Sequence, residues 1–148
     1  MAKQKNDIEI IELTEESIES MVYIIRDQKV MLDFDLARIY GYETKRFNEQ
    51  VKRNIEKFPN DFMFKLNSNE FKLLARSQIA TAQIWTIGNK GGRTTLPYAF
   101  TEQGIYMLMT VLKGELAIKQ SIALIKLFKQ MKNYIIVALL AKTLVIKR

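Results

Sequence analysis

Six polar residues within positions 44–58, namely Lys45, Arg46, Glu49, Lys52, Arg53 and Lys57, fall on one side of a helical wheel. Opposite them Phe47, Val51 and Ile55 recur every four residues as an apolar stripe, with Phe58 closing it. Five of the six outward residues are cations. Ammonium and guanidinium groups in such an array neutralise phosphates and donate to base edges, so the chemistry on offer is recognition of a polyanion. A recognition helix in a major groove would set Lys45, Arg46 and Glu49 on base edges and Lys52, Arg53 and Lys57 on phosphates. The same pattern also fits an ordinary solvated face on which Glu43, Glu49 and Glu56 pair with neighbouring cations.

Bond-making chemistry is thinly represented. The absence of cysteine and histidine removes thiol nucleophiles, disulfides, imidazole bases and nearly all zinc sites. Asp33, Asp35 and Asp61 could hold Mg²⁺ in a nuclease, but Asp33 and Asp35 read better as helix caps. No catalytic residue, metal ligand or cofactor site is expected, and the chain reads as a non-enzyme. Gly88-Asn89-Lys90-Gly91-Gly92-Arg93 is glycine-rich and basic, yet it lacks the spacing of a nucleotide-binding loop. It is either a hairpin tip that lays Lys90 and Arg93 along a phosphate backbone or a plain exposed turn.

Composition supports the polyanion reading. Twenty-three Lys and Arg against 16 Asp and Glu give +7 over 148 residues. The first 20 residues hold six acids and two lysines, a charge of −4, which leaves +11 on the rest. An apolar content of 48% suffices for one core. The amino terminus lacks an apolar secretory region, which implies a cytoplasmic location. The longest apolar run, residues 135–141, falls short of the roughly 20 needed to span a membrane.

The elements that must position the cations follow from local signals. Residues 21–25 and 29–32 read as a hairpin across Arg26-Asp27-Gln28. Asp33 or Asp35 caps a helix to about Tyr40, Gly41 interrupts it, and Thr44 caps a second helix to about Lys57. Ala37, Gly41 and Phe47 have the spacing of a helix-turn-helix: a small residue for close crossing, a left-handed turn and an apolar pin. Residues 61–66 alternate as a strand, Asn67 and Glu70 form a capping box for a helix to about Ile79, and residues 81–97 form a second, glycine-tipped hairpin containing Trp85. Thr101 caps a helix to about Leu112, and a long basic helix starts after Gly114. The expected fold is α+β, a compact single domain with two short β-hairpins, a helix-turn-helix-like core and a long C-terminal helix. Residues 1–20 form an acidic, flexible segment in which Thr14 can cap a short helix, 21–114 the binding domain, and 115–148 a helix for packing or dimerisation.

Longer strings resemble a known family. Ile25-Arg26-Asp27-Gln28-Lys29-Val30-Met31-Leu32-Asp33, Asp35-Leu36-Ala37-Arg38-Ile39-Tyr40-Gly41, Val51-Lys52-Arg53-Asn54-Ile55-Glu56-Lys57-Phe58-Pro59-Asn60-Asp61-Phe62-Met63-Phe64 and Leu96-Pro97-Tyr98-Ala99-Phe100-Thr101-Glu102-Gln103-Gly104 are similar to the KilA-N and Bro-N superfamily, in its ORF-six-N branch. The resemblance covers roughly residues 22–128. It implies a DNA-binding domain without catalytic residues, of the type that opens phage antirepressors and mobile-element regulators. No second domain is evident after it, so the antirepressor activity of longer relatives is not expected to carry over whole.

The resulting expectation is a sequence-specific double-stranded DNA-binding regulator, with no membrane or small-molecule partner. Leu124, Phe128, Met131, Ile135 and Ala138 recur at 4-3 spacing, which suits either docking on the domain or a homodimer seam. A dimer would read two half-sites about 34 Å apart. The competing expectation is a protein-interaction module that binds a repressor through the Trp85 loop and the final helix.

Overall fold

The computed structural model describes residues 11–76 and 95–146, with the backbone alone for 133–146. Strands β1 (Val22–Ile25) and β2 (Gln28–Leu32) pair antiparallel with Ile25 opposite Gln28, so their turn is only Arg26 and Asp27. Both residues take positive φ, 56° and 62°, and such a two-residue turn matches the twist of paired strands. Left-handed backbone is unfavourable for an arginine, and the Arg26 side chain is correspondingly well held. Its Nε and Nη2 donate to Glu70 Oε2 and Oε1 at 2.7 and 3.1 Å, and the guanidinium lies 4.1 Å above the Phe64 ring. Glu70 also completes the expected capping box: Oε1 accepts from Asn67 N, and Glu70 N donates to Asn67 Oδ1, each at 2.8 Å. That box opens α4 (Ser68–Arg76), so one arginine ties the hairpin to a strand and a helix.

β2 pairs with β4 (Tyr98–Thr101), and β4 pairs with β3 (Met63–Lys65), giving one antiparallel sheet in the order β1-β2-β4-β3. Of the glycine-tipped hairpin only residues 95–97 are described; they carry no strand and lead into β4. The loop with Trp85 and the tip with Lys90 and Arg93 lie outside the described residues, as do residues 77–79 at the expected end of α4. Alternate residues of the sheet feed two cores. Met31, Met63 and Phe100 join one with five helices, and Val30, Leu32, Phe64 and Ala99 join the other with Leu74 of α4.

On the first face lie α1 (Glu15–Glu19), α2 (Asp33–Tyr40), α3 (Thr44–Arg53), α5 (Glu102–Val111) and α6 (Glu115–Ile146). Thr14 caps α1 and Thr101 caps α5, as their sequences predict. The start of α5 passes so close to the segment leading into β3 that a Cβ on Gly104 would stand 2.0 Å from the Phe62 carbonyl oxygen. Gly114, at φ 105°, separates α5 from α6. The first half of α6 docks on α2: Gln120 Nε2 donates to Ile39 O, and the Tyr40 hydroxyl meets Ser121 Oγ, both at 2.8 Å in buried surroundings. Leu124, Phe128 and Met131 pack on this same core, so over that stretch the 4-3 seam is used for docking. Ile135 and Ala138 have side chains outside the described part. No helix among the described residues is long and apolar enough to cross a membrane. The result is a compact single α+β domain with a long C-terminal helix.

Gly104→Ala should lower stability by on the order of 3 kcal/mol, since a backbone oxygen cannot rotate away. Urea unfolding measures it, and a loss well under 1 kcal/mol would contradict the close approach.

Candidate nucleic-acid interface

α3 follows α2 across Gly41-Tyr42-Glu43. Gly41 adopts φ 73°, ψ 30°, with Tyr42 N donating to Ala37 O at 2.8 Å, the left-handed exit that glycine takes without a Cβ penalty. Ala37 is fully buried, as a small residue beneath a crossing helix must be. Phe47 anchors α3, its ring edge-on to Tyr42 at 6.3 Å and to Phe100 at 5.8 Å. Val51 is buried one turn later.

Beyond Val51 the helix departs from the expected pattern. α3 ends at Arg53, Asn54 leaves helical geometry at φ −122°, and residues Ile55–Lys57 form a 3-10 turn. Ile55 therefore loses phase with Phe47 and Val51 and is 51% exposed, not buried. Phe58 takes the core position instead, edge-on to Phe100 at 6.0 Å. Lys57 belongs to the 3-10 turn rather than to the helix. Thr44 is the first helical residue and not the cap; Glu43 stands at the N-cap without a side-chain hydrogen bond. No side-chain oxygen therefore caps the N–H groups of the first turn, and no acid lies in that turn.

A buried carboxylate fixes where α3 sits. Asp33 does not cap α2, whose N-cap is Leu32. Its Oδ2 accepts from Asn48 Nδ2 of α3 at 3.0 Å and from Tyr98 N of β4 at 3.1 Å, joining three elements at one atom. Burial pushes the Asp33 pKa up, and the bonds from Asn48 and Tyr98 pull against that rise. Asp35 does not cap the helix either. It is also buried, and desolvation raises its pKa to about 7, opposed by the charge of Arg38 and reinforced by Asp33. Asp61 is exposed, and among the described residues no three acids gather where a metal could sit.

Lys45, Arg46, Glu49, Lys52 and Arg53 are all exposed on α3, and Lys57 is partly exposed just beyond it. The five on α3 thus lie on its outer side, with Lys57 beyond the break at Asn54, while Lys90 and Arg93 are outside the described residues. Of the proposed local neutralising pairs only Arg46–Glu43 forms, at 3.8 Å with both side chains largely exposed, a contact of little energetic weight. Lys45, Lys52, Arg53 and Lys57 make no ion pair among the described residues. Five cations against two acids leave a surplus of three over residues 44–57. Sequence reasoning overlooked two contributors. Arg38 is an exposed cation on the last turn of α2, hidden by attention to its apolar neighbours. Asn48 carries no signal in the sequence, because its partners lie 15 and 50 positions away, at Asp33 and, through that carboxylate, at Tyr98.

A family model described as the ORF6N domain matches residues 20–111. The chain belongs to the ORF6N domain family. The matched segment holds the whole sheet and helices α2 to α5, including every α3 cation. This is a family of phage-type regulatory domains and not of enzymes. Neither the curated proteins nor the solved structures contain a match to the chain.

Asp33→Ala should strip partners from Asn48 and from Tyr98 N and cost on the order of 3 kcal/mol, measurable by urea unfolding; a loss below 1 kcal/mol would contradict the bridge. Asp35 gives a pH signature. With a folded pKa near 7 against an ordinary 3.8, the folded chain holds a proton that the unfolded chain releases. The stability linked to it is complete below about 3.8 and is lost as pH rises through about 7. Asp35→Asn should therefore gain on its parent by roughly 1–3 kcal/mol between pH 4 and pH 8. Melting curves running parallel across that window would disprove the burial effect.

Proposed function

We propose that this domain binds double-stranded DNA and reads its sequence with α3, acting as a cytoplasmic regulator of the phage or mobile-element type rather than as an enzyme. The observation that carries the reading is the set of cations on α3, of which only Arg46 has an ion-pair partner among the described residues, while the opposite side of the helix is locked into the core through Phe47 and Asn48. Rigid placement matters for reading bases, since a recognition residue must be held to a fraction of an ångström to reject a wrong edge. A helix of ten residues, about 15 Å long, fits a major groove about 12 Å wide.

Lys45, Arg46 and Glu49 near its start face base edges. Lys52, Arg53 and Lys57 hold phosphates, joined by Lys90 and Arg93 of the glycine-rich sequence. Membership in a phage-type regulatory family supports the assignment, as does the charge of +11 on residues 21–148.

Oligonucleotides selected from a random duplex pool would first define the preferred site. Arg46→Ala should then relax the preference at one or two positions, by about 1–3 kcal/mol each. Lys57→Ala should weaken every duplex alike and flatten the slope of log affinity against log salt by about one unit. A double variant binding duplex DNA as tightly as the parent, or a parent that enriches no sequence, would overturn the reading.

A further inference from the structure

A second surface lies on α6, away from the face docked to α2. Ala117, Gln120, Ser121 and Leu124 are buried against the body, whereas Ile118, Ile122 and Ile125 are 61%, 48% and 47% exposed. Their 4-3 spacing places the three within about 60° of one another on the helix, a narrow apolar seam along α6. Lys119 and Lys126 border the seam and Lys129 continues it, all exposed and without an ion pair among the described residues. Glu115, at the amino end, is the single acid that α6 contains. The apolar docking residues identified earlier on this helix, Leu124, Phe128 and Met131, are already occupied by the domain core, so this seam is separate from them.

We infer that this seam binds an acidic amphipathic helix of another protein, leucine-like residues meeting Ile118, Ile122 and Ile125 while flanking carboxylates pair with Lys119, Lys126 and Lys129. Seam width, charge and outward presentation select this occupant. Seam width favours a helix: a strip with apolar residues at only a and d positions is what a coiled-coil partner covers, whereas a membrane-surface helix presents a much broader apolar face. Charge disfavours a second copy, because two α6 helices laid along this seam set lysine against lysine in either direction, Lys119 near Lys126 when antiparallel and Lys129 against itself when parallel. The same charge attracts a partner whose flanking residues are glutamate or aspartate. The body-side hydrogen bonds of Gln120 and Ser121 hold the seam outward, so it is presented without a conformational change. The inference is independent of DNA binding, since none of its residues belongs to α3.

The test uses the whole chain and a labelled peptide of three heptads, with leucine at a and d and glutamate at the flanking positions, which repel one another and keep the free peptide monomeric. Fluorescence anisotropy should show saturable micromolar binding that weakens as salt rises. Ile122→Asp should lower affinity at least about tenfold while leaving the melting temperature and duplex-DNA affinity unchanged, because Ile122 lies outside both the core and α3. The double variant Lys126→Glu, Lys129→Glu should lose the glutamate peptide and gain its lysine counterpart. Equal binding of glutamate and lysine peptides would overturn the proposal. So would sedimentation of the parent as a dimer that Ile122→Asp dissociates, or parent binding to anionic vesicles in preference to the peptide.

Discussion

The contact of Phe100 with Phe47 and Phe58 sets the rest of the arrangement. Phe100 sits fully buried in β4, an interior strand, and receives one ring from α3 and one from the segment that leaves α3, both edge-on within 6.0 Å. Edge-to-face pairs each add on the order of 0.5–1.5 kcal/mol beyond the area they bury. More important is their geometry, which fixes the roll of α3 about its own axis. With Phe47 and Val51 turned to the sheet, Lys45, Arg46, Glu49, Lys52 and Arg53 have no direction left but solvent. Asp33 fixes the remaining freedom by tying Asn48 and Tyr98 to the start of α2. The exposed charge on α3 is thus a consequence of packing on its far side.

Signals that act within a few residues were legible from the sequence. The turn at Gly41, the caps at Thr14 and Thr101, the Asn67–Glu70 box and the break at Gly114 each depend on a backbone conformation or a bond spanning at most four positions. Features that depend on distant partners were not. β4 reads Tyr-Ala-Phe-Thr and is almost wholly buried, so it shows none of the alternation that reveals a strand with one wet face. Ile55 follows the four-residue spacing of its helix but falls past a break at Asn54 that only the packing of Phe58 explains. Asp33 reads as a cap because the sequence shows its position before a helix and not the amide of Tyr98, 65 residues on.

Two oppositely specialised helices emerge from one docking scheme. α3 turns its apolar residues inward and keeps almost pure charge outside, which suits a hydrated, phosphate-lined groove. α6 docks through Gln120, Ser121 and Leu124 and leaves isoleucines beside lysines outside, which suits a partner that offers both apolar and acidic groups. α2 lies between them, contacting α3 through the crossing at Ala37 and α6 through Ile39 and Tyr40. Gly41 belongs to both relationships, since a Cβ there would stand 2.9 Å from Leu116 of α6. A partner on one helix therefore binds a body whose other working helix rests on the same α2.

The most direct test of the central claim, that α3 is the DNA-reading surface, is backbone amide NMR of the chain titrated with a selected duplex. The account predicts the largest chemical-shift changes within residues 44–57, with the amides of Ile118, Ile122 and Ile125 unmoved. Changes concentrated on α6, with α3 amides unaffected at saturation, would contradict it.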